Sequence, residues 1–139
     1  MKTLIKLIVI VLSINFSNAQ QDKGHTITVS IDNVRNDKGK VIISLRSAET
    51  FMKGKGLDSG ESKIKDGKIT VTFKNVKPGT YALLALHDEN GNYMMDFEGN
   101  GMPKEDYGMS NNPVFFGPPQ FNDAKFELTD KDLDFKIKF

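Results

Sequence analysis

The sequence predicts an all-β protein, an antiparallel two-sheet sandwich of about seven strands, Ig-like or transthyretin-like in layout, with one long ordered loop. Three observations predict it. Apolar and polar residues alternate in run after run, the period of half-buried strands. Clusters of turn-forming residues separate those runs at short intervals. Beyond the first 19 residues, no stretch sustains a helical period.

The first run sets Ile27, Val29 and Ile31 against Thr26, Thr28 and Ser30. Asn36-Asp37-Lys38-Gly39 then supplies turn chemistry, and Val41, Ile43 and Leu45 repeat the pattern up to Ser47. Residues 48–60 are polar and Gly-rich, anchored by Phe51 and Met52; a sheet-to-sheet crossover with room for a turn of helix is expected there. Asp66-Gly67 predicts a two-residue hairpin that pairs Ile64 with Ile69 and Ser62 with Val71. Ile69, Val71 and Phe73 face inward, and Lys77-Pro78-Gly79 closes that strand with a type II turn. Residues 81–87 are apolar on both faces, as a central strand is. Two further runs follow, through Ala124, Phe126 and Leu128, then Leu133, Phe135, Ile137 and Phe139. An outer-membrane barrel needs at least 8 strands of about 9 to 11 residues. These runs are too few and too short for one.

The N-terminus reads as an export signal. Lys2 and Lys6 accompany an apolar run over residues 4–14, and Ser17-Asn18-Ala19 places small residues where a signal peptidase cuts. Eleven positions fall short of the roughly 20 that span a bilayer. The expected organisation is a signal over 1–19 cleaved after Ala19, a flexible leader over 20–24 and one domain over 25–139. Its expected location is periplasmic or secreted, with no membrane span after cleavage. Cleavage leaves 17 basic residues against 18 acids, a balance unlike the basic footprint of a nucleic-acid binder. There is no Cys to form a disulfide or to accept a lipid.

Residues 88–120 hold no sustained strand or helix pattern, far beyond the usual connection of about 4 to 6 residues. Tyr93, Phe97, Tyr107, Phe115 and Phe116, with Met94, Met95, Met102 and Met109, distinguish the segment from a disordered one. It is expected to pack on the sandwich, with a short strand near residues 114–116. Asp88, Asn90, Asn92 and Asp96 stand at relative positions 1, 3, 5 and 9, the oxygen spacing of calcium loops, and Glu98 is the nearest carboxylate to the closing position. The opposing reading is that these Asx side chains cap their own turns. A calcium ion held this way would bind in the weak extracellular range, about 10⁻⁴ to 10⁻³ M. The methionines with His87 also permit a copper reading, against the commoner use of Met in packing.

For catalysis, His87 is the one general base the sequence places well, and Ser110 is its candidate partner. A histidine at a strand end more often orients a loop. Tyr107, Phe115 and Phe116 beside Asn111, Asn112 and His87 form the expected ligand surface, flat apolar faces next to amides that suit a glycan or an extended peptide.

The ordered string Gly79-Thr80-Tyr81, His87-Asp88-Glu89-Asn90-Gly91-Asn92, Gly101-Met102-Pro103-Lys104-Glu105, Tyr107-Gly108-Met109-Ser110-Asn111-Asn112 and Phe116-Gly117-Pro118-Pro119 with Phe121 resembles the bacterial domain-of-unknown-function family 2141. The resemblance runs from about Thr26 to Phe126 and implies an exported sandwich domain without an assigned activity. Members of that family usually carry Gly where this chain has Tyr93. Pro78-Gly79-Thr80-Tyr81 is also similar to transthyretin-like and collagen-adhesin B-type modules, some of which carry calcium. The expected function is therefore a non-enzymatic binding or accessory module of the bacterial envelope, partnered by an envelope protein, peptide or glycan. No cofactor is required for it, and calcium in the long loop is the one ion the spacing allows. A structural envelope component without ligand and a hydrolase using His87 are the competing expectations.

Overall fold

A computed structural model describes residues 23–114 and 116–139. The expected signal, its cleavage point at Ala19 and the start of the leader lie outside these residues. Among the described residues there are eight strands in two open sheets and one short helix. The protein is a β-sandwich.

The three-stranded sheet centres on β1 (His25–Ile31), flanked by β4 (Ile69–Val76) and β8 (Leu133–Lys136). The five-stranded sheet runs β3 (Asp58–Ser62), β2 (Lys40–Arg46), β5 (Gly79–Asp88), β6 (Tyr107–Met109), with β7 (Phe126–Leu128) also on β5. Helix α1 (Phe121–Ala124) is a single turn between β6 and β7. The alternation seen in sequence becomes the core: Ile27, Val29, Val41, Ile43, Phe73, Leu83 and Leu128 are buried between the sheets. Truncating one of them to Ala would cost about 2 to 5 kcal/mol.

Strand β5 is apolar on both faces because it serves two clusters. Leu83 and Ala85 join the main core, while Ala82 packs on the outer side with Phe51, Met109 and Ala124. Phe51 and Phe121 meet edge to face at 5.6 Å over that outer cluster.

Besides Gly79, whose φ is not the positive one a type II turn requires, four details depart from the sequence reading. The turn at Asp66-Gly67 forms with both residues at positive φ, 52° and 70°, and Lys65 and Lys68 exchange two backbone hydrogen bonds. The hairpin stops there, however. Ser62 pairs with Val41 and Val71 with Val29, so this turn carries the chain between the sheets, and residues 47–57 join neighbouring strands of one sheet. Gly60 makes the close approach of β3 to β4 feasible, because a Cβ there would lie 2.4 Å from Val71 Cγ1. The second departure is β8, which runs parallel to β1. Third, the short strand within the long segment is β6, since the free edge of β5 at residues 84–86 is filled by Tyr107–Met109. Val114 and Phe116 stand fully out to solvent instead. Fourth, residues 121–124 form α1, ahead of the strand expected to start at Ala124.

Candidate functional site

The last two residues of β5 root the long loop. Both His87 and Asp88 are completely buried. His87 Nε2 lies 2.8 Å from the Lys38 carbonyl, and because a carbonyl can only accept, Nε2 carries the hydrogen. Its Nδ1 has no hydrogen-bond partner among the described residues and faces Glu89 Oε1 at 4.0 Å. The Phe139 ring is stacked on the imidazole, 10° from parallel. The β1–β2 turn presses on this root: Gly39 has φ +63°, and a Cβ on it would sit 2.0 Å from the Asp88 carbonyl oxygen.

From the root, two carboxylates organise the loop. Asp88 Oδ1 accepts from the backbone N–H of Gly91 at 2.8 Å and Asn92 at 3.1 Å, and Oδ2 accepts from Tyr93 at 3.0 Å. Glu105, also buried, returns from the far side of the loop: Oε1 accepts from Glu89 N at 3.0 Å and Oε2 from Asp96 N at 3.2 Å. Charged acceptors for N–H groups are among the stronger hydrogen bonds in proteins. Beyond them, the tip folds back through a Phe97–Pro103 bridge and a Glu98 N to Met102 O hydrogen bond of 2.7 Å.

The oxygen set picked out by spacing is brought together, apart from Glu98, whose backbone closes the tip. Asn90 Oδ1 accepts from Asn92 N at 3.1 Å, and Asn92 Oδ1 accepts from Met94 N at 2.9 Å. These Asx turns leave both amide nitrogens directed at Asp96, which accepts Asn90 Nδ2 at 2.6 Å and Asn92 Nδ2 at 3.1 Å. As the side chains stand, N–H groups fill the acceptors of Asp88 and Asp96. Among the described residues, no group of three His, Cys, Asp or Glu side chains could hold a metal ion. Of the methionines, Met109 is buried in the outer cluster, while Met94 and Met102 point to solvent.

Charge ties the loop to the sheet. Arg35 lies 3.2 Å from Asp106 and 3.5 Å from Glu89, and Asn36 donates to Glu89 at 3.2 Å. Arg35, Asn36 and Glu89, with Asp96 and Lys104, line a shallow cleft of about 400 Å³. On the other flank, Tyr93 adopts φ +63° and places its ring over Lys40, 3.7 Å from the ammonium, which also pairs with Glu61 at 3.0 Å. The hydrogen bond to Tyr93, and after it the one to Glu61, raises the pKa of the Lys40 ammonium.

The expected ligand surface is dispersed. Asn111 and Asn112, both at positive φ, direct their amides inward: Asn111 donates to the carbonyls of Asp123 and Lys125, and Asn112 exchanges two hydrogen bonds with the backbone of Lys136 and Lys138. Tyr107 is half buried beside the outer cluster, Phe116 is fully exposed, and Phe115 lies outside the described residues. His87 is at the other end of β5, under Phe139. Ser110 hydrogen-bonds to Leu83, four positions from His87 along the strand, which puts the two side chains roughly 13 Å apart. They form no nucleophile–base pair. Glu105, the far clamp of the loop, was missed by spacing; an acid in a turn-rich stretch carries no local sign that it will be buried.

The fold and this loop define a class: a two-sheet β-sandwich whose longest connection is folded around its own buried carboxylates. The chain belongs to the family described as "Uncharacterized protein conserved in bacteria (DUF2141)", whose model matches residues 29–136. Among solved structures it is similar to a chain titled "Pilus-presented adhesin, Spy0125 (Cpa)", at 14% identity and a TM-score of 0.28 over 84% of this chain. The match spans 26% of that adhesin chain. No curated protein matches. No helix among the described residues is long and apolar enough to cross a membrane.

Proposed function

We propose that this chain is an exported, non-enzymatic binding module of the bacterial envelope whose working surface is loop 88–106. One observation carries the reading. The loop is ordered from beneath by Asp88 and Glu105, yet it holds Tyr93, Met94, Phe97 and Met102 out to solvent, each more than half exposed. Large apolar side chains kept exposed on a rigid frame mark contact surfaces for a protein, peptide or glycan. The test compares wild type with a Phe97→Ser/Met102→Ser variant on peptide and glycan arrays. Hits lost in a variant of unchanged Tm support the reading. A wild type without hits on either array counts against it and favours a structural component. The envelope address is tested separately, by cell fractionation and a mature N-terminus at Gln20.

Calcium is a second reading with its own observation. Asn90 and Asn92 both bring their side-chain amides to the Asp96 carboxylate, so three side chains that carry hard oxygens converge at one point, although nitrogen faces the carboxylate. An ion binding there would require the amides to turn their oxygens inward. At a Kd of about 10⁻⁴ to 10⁻³ M, about 10 mM calcium would stabilise the fold by roughly 1.4 to 2.7 kcal/mol. Equal Tm values in calcium and in chelator would remove this reading and leave the first intact.

A further inference from the structure

The chain contains two Asn-Gly pairs, Asn90-Gly91 and Asn100-Gly101, both in the long loop and both exposed. Asn-Gly is the dipeptide most open to spontaneous deamidation, since glycine leaves its own nitrogen unshielded by a side chain. Locally the two pairs are alike. Each glycine has positive φ, 76° and 84°, and each asparagine forms an Asx turn with the N–H two residues on.

They differ in what holds the reacting atoms. Gly91 N–H is donated to the Asp88 carboxylate, itself fully buried, and Asn90 Nδ2 is tied to Asp96 Oδ2. Gly101 N–H is donated to the neutral carbonyl of Glu98, and Asn100 Nδ2 has no hydrogen-bond partner among the described residues. We infer that Asn100 is a spontaneous deamidation site and that the Asp88–Asp96 clamp protects Asn90 from the same reaction. In the reaction the Gly101 nitrogen loses its proton and attacks Asn100 Cγ. The new N–C bond closes a succinimide, and the Cγ–Nδ2 bond breaks with release of ammonia. Water then opens the ring to aspartate or isoaspartate. At Gly91 the same proton loss would set a nitrogen anion against a buried carboxylate and forfeit a charge-assisted hydrogen bond, while the leaving nitrogen stays held by Asp96. Conversion at Asn100 places a new carboxylate next to Glu98 on the apolar tip.

The experiment ages the full-length mature chain in mildly alkaline buffer and follows both sites by peptide mapping and isoaspartate labelling. Asn100 is expected to convert at least about tenfold faster than Asn90, the factor that one charge-assisted hydrogen bond supplies. Unfolding the wild-type chain in urea should bring the two rates together, and Asp88→Asn should speed Asn90 in the folded chain. Equal rates in the folded chain would overturn the inference. So would a rate difference that persists in urea, because the clamp would then not be its cause.

Discussion

The two halves of the long segment, 88–106 and 110–120, both combine Asn with aromatics, but the first carries acids that the second lacks, and they are held by different means. The first half folds around acceptors: five of its backbone N–H groups end on two buried carboxylates. The second is tethered by side-chain donors. Ser110, Asn111 and Asn112 reach the backbone of α1 and the C-terminal tail, and beyond them Val114 and Phe116 are left exposed. Apolar content does not order a loop by itself. A charged group buried within it does, because every N–H taken from water must find an acceptor there.

The comparison can be broken at its strongest point first. Gly39→Ala combines a positive-φ penalty with a Cβ 2.0 Å from the Asp88 carbonyl, and Asp88→Ala strands three N–H groups. Each is expected to lower the unfolding free energy by more than about 3 kcal/mol in urea titrations. Gly108→Ala tests the seam between β6 and the tail, where the new Cβ would be 2.5 Å from the Lys138 carbonyl oxygen; about 1 to 3 kcal/mol should be lost. Glu105→Gln keeps one acceptor of two and should cost roughly 1 to 2 kcal/mol, with hydrogen exchange accelerated at Glu89 and Asp96. Asn112→Ala in the second half should cost about 1 kcal/mol and loosen only the tail. Phe116→Ser should change stability by less than about 0.5 kcal/mol. If Phe116→Ser proved as damaging as Asp88→Ala, the distinction between the halves would collapse.

Most of the strands were legible because alternation is local. Ile27, Val29 and Ile31, or Val41, Ile43 and Leu45, announce a buried face without reference to any partner. The doubly apolar β5 was legible for the same reason, although what covers its outer face, Phe51 and Phe121, was not. The candidate site was half legible. Spacing found the first-turn acceptors Asp88, Asn90, Asn92 and Asp96, and it passed over Glu105 and the β1–β2 loop. In that loop Arg35, Asn36 and Gly39 meet the long segment and the Lys38 carbonyl meets His87 at its root, and only the chain's return brings them there.

Residue order by itself determined the all-β character, the turn at Asp66-Gly67 and the existence of one exceptional connection, since each is set by steric and solvation preferences of neighbouring residues. Tertiary structure alone decided that β3 joins β2, that β8 lies parallel to β1, and that Asp88 receives N–H groups. Those outcomes depend on which distant surfaces exclude water together. An acidic oxygen takes whatever positive or donor group that packing leaves beside it.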